Sequence, residues 1–158
     1  MKIIEQQFSK QVAMAHTGTQ LNTLAVELQT ALFHYDLPEA LANTGLSIDR
    51  DGLRDLLVQA HGVTLKGRFD HVWLADGHES PPLGGRYQFF KQDAEGHDVD
   101  LFCELVFDDL GNTRLGRDSF VTDTINGNSD ALPETLRRIA LFLVTSIHKK
   151  LDTIPRKA

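Results

Sequence analysis

Seven histidines among 158 residues are the first groups to test for chemistry. The densest set is His71, His78 and His97 with Asp76, Asp98 and Asp100. A zinc ion needs three or four His, Cys or carboxylate ligands converging at about 2.0–2.3 Å. The chain has no HExxH, no CxxC and no histidine pair at i, i+4, so the spacing predicts no metal site. His71 shares the alternation of Phe69 and Trp73. It reads as an imidazole at the edge of a core, bonded to backbone.

Cys103 alternates with Val99, Leu101, Leu105 and Phe107, where a lone thiol behaves as a small hydrophobe. A nucleophile would need partial exposure and a nearby base. On the other parity stand Asp98, Asp100, Glu104 and Asp108. Neighbouring same-face residues of a strand lie about 6.6 Å apart, a separation that acid–base chemistry on a sugar could use. Nothing in the sequence sets one of these acids apart, and a solvated sheet face accounts for all four. Pro81-Pro82-Leu83-Gly84-Gly85 lacks the lysine of a phosphate loop and precedes a strand rather than a helix. No serine sits in a GxSxG elbow. The sequence therefore predicts no catalytic residue and no cofactor.

Composition bounds the rest. A chain of this length forms one domain, 1–158 without a linker, with 153–158 read as a frayed tail. At 41% hydrophobic and 24% charged it is globular rather than disordered. No apolar run reaches the ~18 residues of a membrane span, and the N-terminus lacks a secretory leader. A cytoplasmic protein is the simplest expectation. The net charge of −6 opposes phosphate, so no nucleic acid is expected as partner.

The elements that must position these groups follow from periodicity. Ile4, Phe8, Val12 and Ala15 predict a helix broken at His16-Thr17-Gly18-Thr19, with a threonine capping the next. Leu21 to Tyr35 form that second helix, and Pro38 to Gly45 a short third. Leu53, Leu56, Leu57 and Ala60 predict a fourth, ended by Gly62. From Val63 the period becomes two. Strands are predicted at 63–75, with a bulge at Gly67, at 86–92, at 97–108 and at 113–117, and a weak edge strand at 120–125. Short turns make them antiparallel. Pro133 then opens a long amphipathic helix packed on the sheet, running to Leu151. The class is α+β: N-terminal helices, a meander of about four strands, and a long C-terminal helix. An alternative turns residues 2–12 into an extra strand.

Pro38–Gly45, Leu46-Ser47 and Ile48–Ala60 resemble a helix–turn–helix in outline. Asp49 and Asp51 flank Arg50 where phosphate contacts belong, and Gly52 weakens the second helix. A plain helical pair is the preferred reading.

Function is not legible directly; two classes remain. If Asp93–Gly96 is a four-residue turn, Tyr87 faces Phe102 and Phe89 faces Asp100. If Asp109–Asn112 is another, Val106 faces Leu115. Tyr87, Phe89, Phe102 and Val106 then form a mixed apolar and charged face, which reads as an interface for a protein partner or a homodimer. This makes the protein a small acidic, non-catalytic binding module. The alternative is a small-molecule or enzymatic pocket between sheet and helices, near His71, Trp73 and Tyr87.

Overall fold

The computed structural model describes residues 2–75, 82–118, 120–125 and 130–157, with backbone alone at 2–4 and 121–124. Two turns of one construction set the sheet's centre. In each, an aspartate amide donates to the carbonyl four residues on: Asp93 to His97 and Asp108 to Asn112, both at 3.0 Å. The aspartate Oδ1 accepts two amides inside the turn, from Glu95 and His97 in one and from Leu110 and Asn112 in the other. Glycine follows at the left-handed position, Gly96 at φ 82° and Gly111 at φ 86°.

These turns join β4 (Leu83–Gln92), β5 (Asp98–Phe107) and β6 (Asn112–Leu115). Around them lie β1 (Ser47–Asp51), β2 (Asp55–Ala60), β3 (Val63–Trp73) and β7 (Val121–Thr124). The seven strands form one antiparallel sheet in chain order. A 33-residue helix α1 (Lys2–His34), a four-residue α2 (Glu39–Ala42) and a 17-residue α3 (Leu132–His148) complete the fold.

The α+β class with an antiparallel sheet is as the sequence predicts, but the described residues hold seven strands rather than about four. The segment read as a fourth helix is the β1–β2 hairpin. Ile48, Leu56, Val58 and Ala60 alternate into the core, while Leu53 sits in the turn at 80% exposure. The helix–turn–helix outline fails with it. The predicted break at residues 16–19 is also absent, and residues 2–12 are helical rather than a strand. The threonine hydroxyls do not cap; Thr17, Thr19 and Thr23 bond back to the carbonyls four residues earlier. Gly18 is there for contact, since a Cβ would lie 3.2 Å from the His71 ring. The last helix is short rather than long. Beyond His148 the chain turns to the sheet, and Lys150 Nζ donates to the Leu101 carbonyl at 2.9 Å.

Helices cover one sheet face. Leu21, Leu24, Ala25, Leu28 and Leu32 of α1 and Leu136, Ile139, Leu143 and Ile147 of α3 share a core with the inner residues of β1 to β6. Gly67 and Gly85 make room there, without a bulge. Gly67 pairs with Phe89 and Gly85 with Phe107. A Cβ would fall 2.6 Å and 2.5 Å from those rings. Gln29 pins α1 to the first hairpin, donating to the carbonyls of Asp55 at 2.8 Å and Gly52 at 3.3 Å. The Tyr87 hydroxyl donates to the carbonyls of Ala25 and Arg54, and burial pushes its pKa up.

Candidate functional site

The face proposed as an interface is not one surface. Gln92 pairs with Asp98, one residue beyond the four-residue-turn register, and Val99 and Phe102 lie unpaired at two irregularities. The slip totals three residues by mid-strand, so Tyr87 meets Leu105 rather than Phe102. An odd slip exchanges faces. Tyr87 and Phe89 are therefore fully buried under the helices. Phe102 is half-buried with Lys150 Nζ 4.8 Å from its ring centre. Val106 opposes Arg114 rather than Leu115, and lies buried on the opposite face.

The pocket alternative separates as well. His71 bonds the Asn22 side chain at 2.9 Å rather than backbone. The Phe69 ring touches both His71 and Tyr87, at centroid distances of 5.5 and 5.3 Å. Trp73 is 57% exposed and lines a cleft on the helix-free face instead.

The acids and histidines singled out above disperse. Asp98 takes a bidentate pair from Arg68 (2.6 and 3.1 Å) and a bond from Gln92, which together hold its carboxyl below the usual range. Asp100 meets Lys150 at 3.4 Å, Glu104 meets Arg114 at 3.4 Å, and Asp108 caps its turn. Asp76 and His78 lie outside the described residues. Cys103 is half-buried, and burial pushes its thiol up to about 11, which opposes a thiolate nucleophile.

Asp93, Glu95 and His97 do converge, with ligand atoms within 4.8 Å of one another. The sister turn shows what two of them do in the turn itself. Asp108 makes the same two amide bonds, and Asn112 reaches its Oδ2 at 2.9 Å. His97 Nδ1 lies 3.4 Å from Asp93 Oδ2 in the corresponding place. Turn geometry accounts for Asp93 and His97, and Glu95 is an exposed carboxylate beside them where the sister turn has Leu110.

The helix-free face carries an ion-paired ladder. Lys66 meets Asp51 at 3.0 Å, Arg68 meets Asp98, and Arg86 forks onto Asp70 at 3.0 and 2.6 Å. These hydrogen bonds hold Arg68 and Arg86 more firmly protonated than usual. At one end of the ladder Arg86, Glu104 and Arg114 surround Val106 in a cleft of about 270 Å³, with Val72, Trp73 and Phe120 as its apolar wall.

The second exposed feature is helical. From Glu5 to Ala13 every residue of α1 is exposed, including Phe8 at 67% and Val12 at 52%. Packing on the sheet begins at Gly18, against His71. Residues 5–13 thus stand clear of the sheet for about 14 Å, at ~1.5 Å per residue. The spacing of Phe8, Val12 and Ala15 signals this stripe in the sequence, but reads equally as a face for the protein's own core.

No family model, no curated protein and no solved structure matches this chain. Among the described residues no helix is long and apolar enough to cross a membrane.

Proposed function

We propose that this protein is a non-catalytic binding module that works through self-association by the first half of α1. One observation carries the reading: a helical segment with Phe8 and Val12 on one stripe stays exposed among the described residues. Helices of this length are marginal in water without tertiary packing, so an uncovered apolar stripe favours a partner. A second copy suits it. Two such helices crossing antiparallel at Phe8 match residue i with residue 16 − i. Phe8 then meets Phe8, Val12 meets position 4, and Glu5 lies across from Gln11, twice over, as a two-fold interface requires. Lys10 falls on the far side of the helix from Phe8, at ~100° per residue. Charge agrees. Residues 2–17 hold Lys2, Lys10 and Glu5, a sum of +1, while the whole chain carries −6. Two copies therefore touch where their mutual repulsion is least.

Sedimentation across a concentration series tests this. A dimer is expected from the native chain, and a folded monomer from Phe8→Glu with Val12→Glu, because both side chains are exposed and outside the core. A native chain that stays monomeric at every concentration overturns self-association and leaves a different protein as the occupant to seek.

A further inference from the structure

Beyond self-association, the arginines of this protein differ in one edge. Three of them close the Nε/Nη2 edge of the guanidinium on the two oxygens of one carboxylate. Arg68 does so with Asp98 at 2.6 and 3.1 Å, Arg86 with Asp70 at 3.0 and 2.6 Å, and Arg137 with Glu134 at 3.0 and 2.7 Å. This planar fork matches a carboxylate in shape as well as in charge. At Arg114 the same edge makes no such pair among the described residues. Its Nε is buried without a hydrogen-bond partner, and Nη2 stands 3.4 Å from a single oxygen of Glu104. A buried donor left unpaired forfeits its water bonds without replacement, so it calls for an acceptor.

Arg114 lines the cleft on the helix-free face. Strand register sets Arg86 and Arg114 on either side of Val106, which is 3% exposed and forms an apolar floor. Phe120 lies beside the guanidinium, its ring centre 5.8 Å from Cζ, and Trp73 stands at the rim. The cleft thus sets aromatic side chains beside a guanidinium whose Nε is unpaired and whose Nη2 makes one long contact, the composition of a small-ligand site. Its formal charges decide the ligand's charge. Asp70 and Glu104 offset Arg86 and Arg114 to zero, so a dianion would meet two carboxylates with no surplus cation. A monoanion needs only to replace the long Glu104 contact. The volume, about 270 Å³, limits the body to roughly one ring.

We infer that this cleft binds a small aromatic monocarboxylate, its carboxylate on the Nε/Nη2 edge of Arg114 and its ring between Trp73 and Phe120.

Trp73 is the only tryptophan in the chain, so its fluorescence reports on the cleft. The full-length protein is titrated with benzoate and with 3-phenylpropionate, against benzamide and inorganic phosphate as comparators. A saturable change is expected with the two carboxylates below about 10 mM, and little with either comparator. Arg114→Met is expected to weaken binding by about tenfold or more, the loss of a charge-assisted hydrogen bond. Arg114→Lys does not restore it, because a point charge lacks the fork. Glu104→Gln, which removes the competing carboxylate, strengthens binding several-fold and guards against a fold defect in the arginine variants. The proposal is overturned by no saturation with either carboxylate, by an equal response to benzamide, or by a folded Arg114→Met that binds as the native chain does.

Discussion

The two faces of one sheet are built from the same alternating strands and do opposite work. On the helix side, Phe69, Tyr87, Phe89 and Phe107 pack in ring contact over Gly67 and Gly85, under α1 and α3. On the other side, Lys66, Arg68, Arg86 and Arg114 meet carboxylates on other strands, with the paired side chains still 26–47% exposed. Burial of aromatic area dominates folding energy, whereas exposed ion pairs contribute little each. Stability therefore resides on one face, and the other is free to change. A cleft for a ligand can sit on the ladder because little of the fold depends on it.

The comparison breaks most readily on the inner face. Phe107→Ala is expected to cost about 3–5 kcal/mol, by lost burial and a cavity. Gly85→Ala costs about 1–3 kcal/mol by overpacking the same ring. Combining Gly85→Ala with Phe107→Leu should recover part of that cost if the ring is the cause. Denaturant unfolding of the native chain, Phe107→Ala, Phe107→Leu, Gly85→Ala and the double variant measures this, and independent, additive losses of Gly85→Ala and Phe107→Leu would contradict the pairing.

A smaller inner-face effect is expected from Tyr87→Phe, about 1–2 kcal/mol. It deprives the Ala25 and Arg54 carbonyls of their shared donor while leaving the ring in place. Amide exchange should rise in the β1–β2 turn and along the middle of α1, and a change confined elsewhere would disconnect Tyr87 from that contact.

Cys103, at the border between β5 and α3, gives the pH dependence. Its thiol is pushed up to about 11 from an ordinary 9.0, chiefly by burial. Below pH 9 both folded and unfolded chains hold the proton and pH has no effect through this group. Above it the unfolded chain gains by ionising while the folded one does not, so stability falls between about 9 and about 11. Cys103→Ser should flatten the loss over that window. Thiol-reagent labelling of the native chain should stay slow at neutral pH.

The least effect is expected from the ladder. A double-mutant cycle on Arg86→Ala and Asp70→Ala should give a coupling below about 1 kcal/mol despite the bidentate geometry. A coupling of several kcal/mol would mean that the outer face also carries the fold.

The strands at 63–73, 83–92 and 98–107 were legible because their alternation is local and their turns use aspartate and glycine at fixed offsets. Helix α3 was legible for a similar reason, a wide stripe opened by Pro133. The hairpin at 47–60 was not. Leu53, Leu56, Leu57 and Ala60 fit a helical period as well as Leu56, Val58 and Ala60 fit a strand. What selects the strand is pairing with β3, a neighbour the local pattern cannot count.

Register was the other loss, and it decided the site. Phe89, Phe102 and Val106 look alike in a two-fold pattern. The extra turn residue and the two irregularities in β5 bury the first, unpair the second and turn the third to the ladder. Arginines and carboxylates were visible one by one. That Arg114, unlike Arg68 and Arg86, lacks a carboxylate across its fork follows from which strand lies beside it. The alternation of residue types was written in the chain, because it depends on each residue's own affinity for water. Which residues face one another was decided only by the assembled sheet, because one inserted residue exchanges its faces.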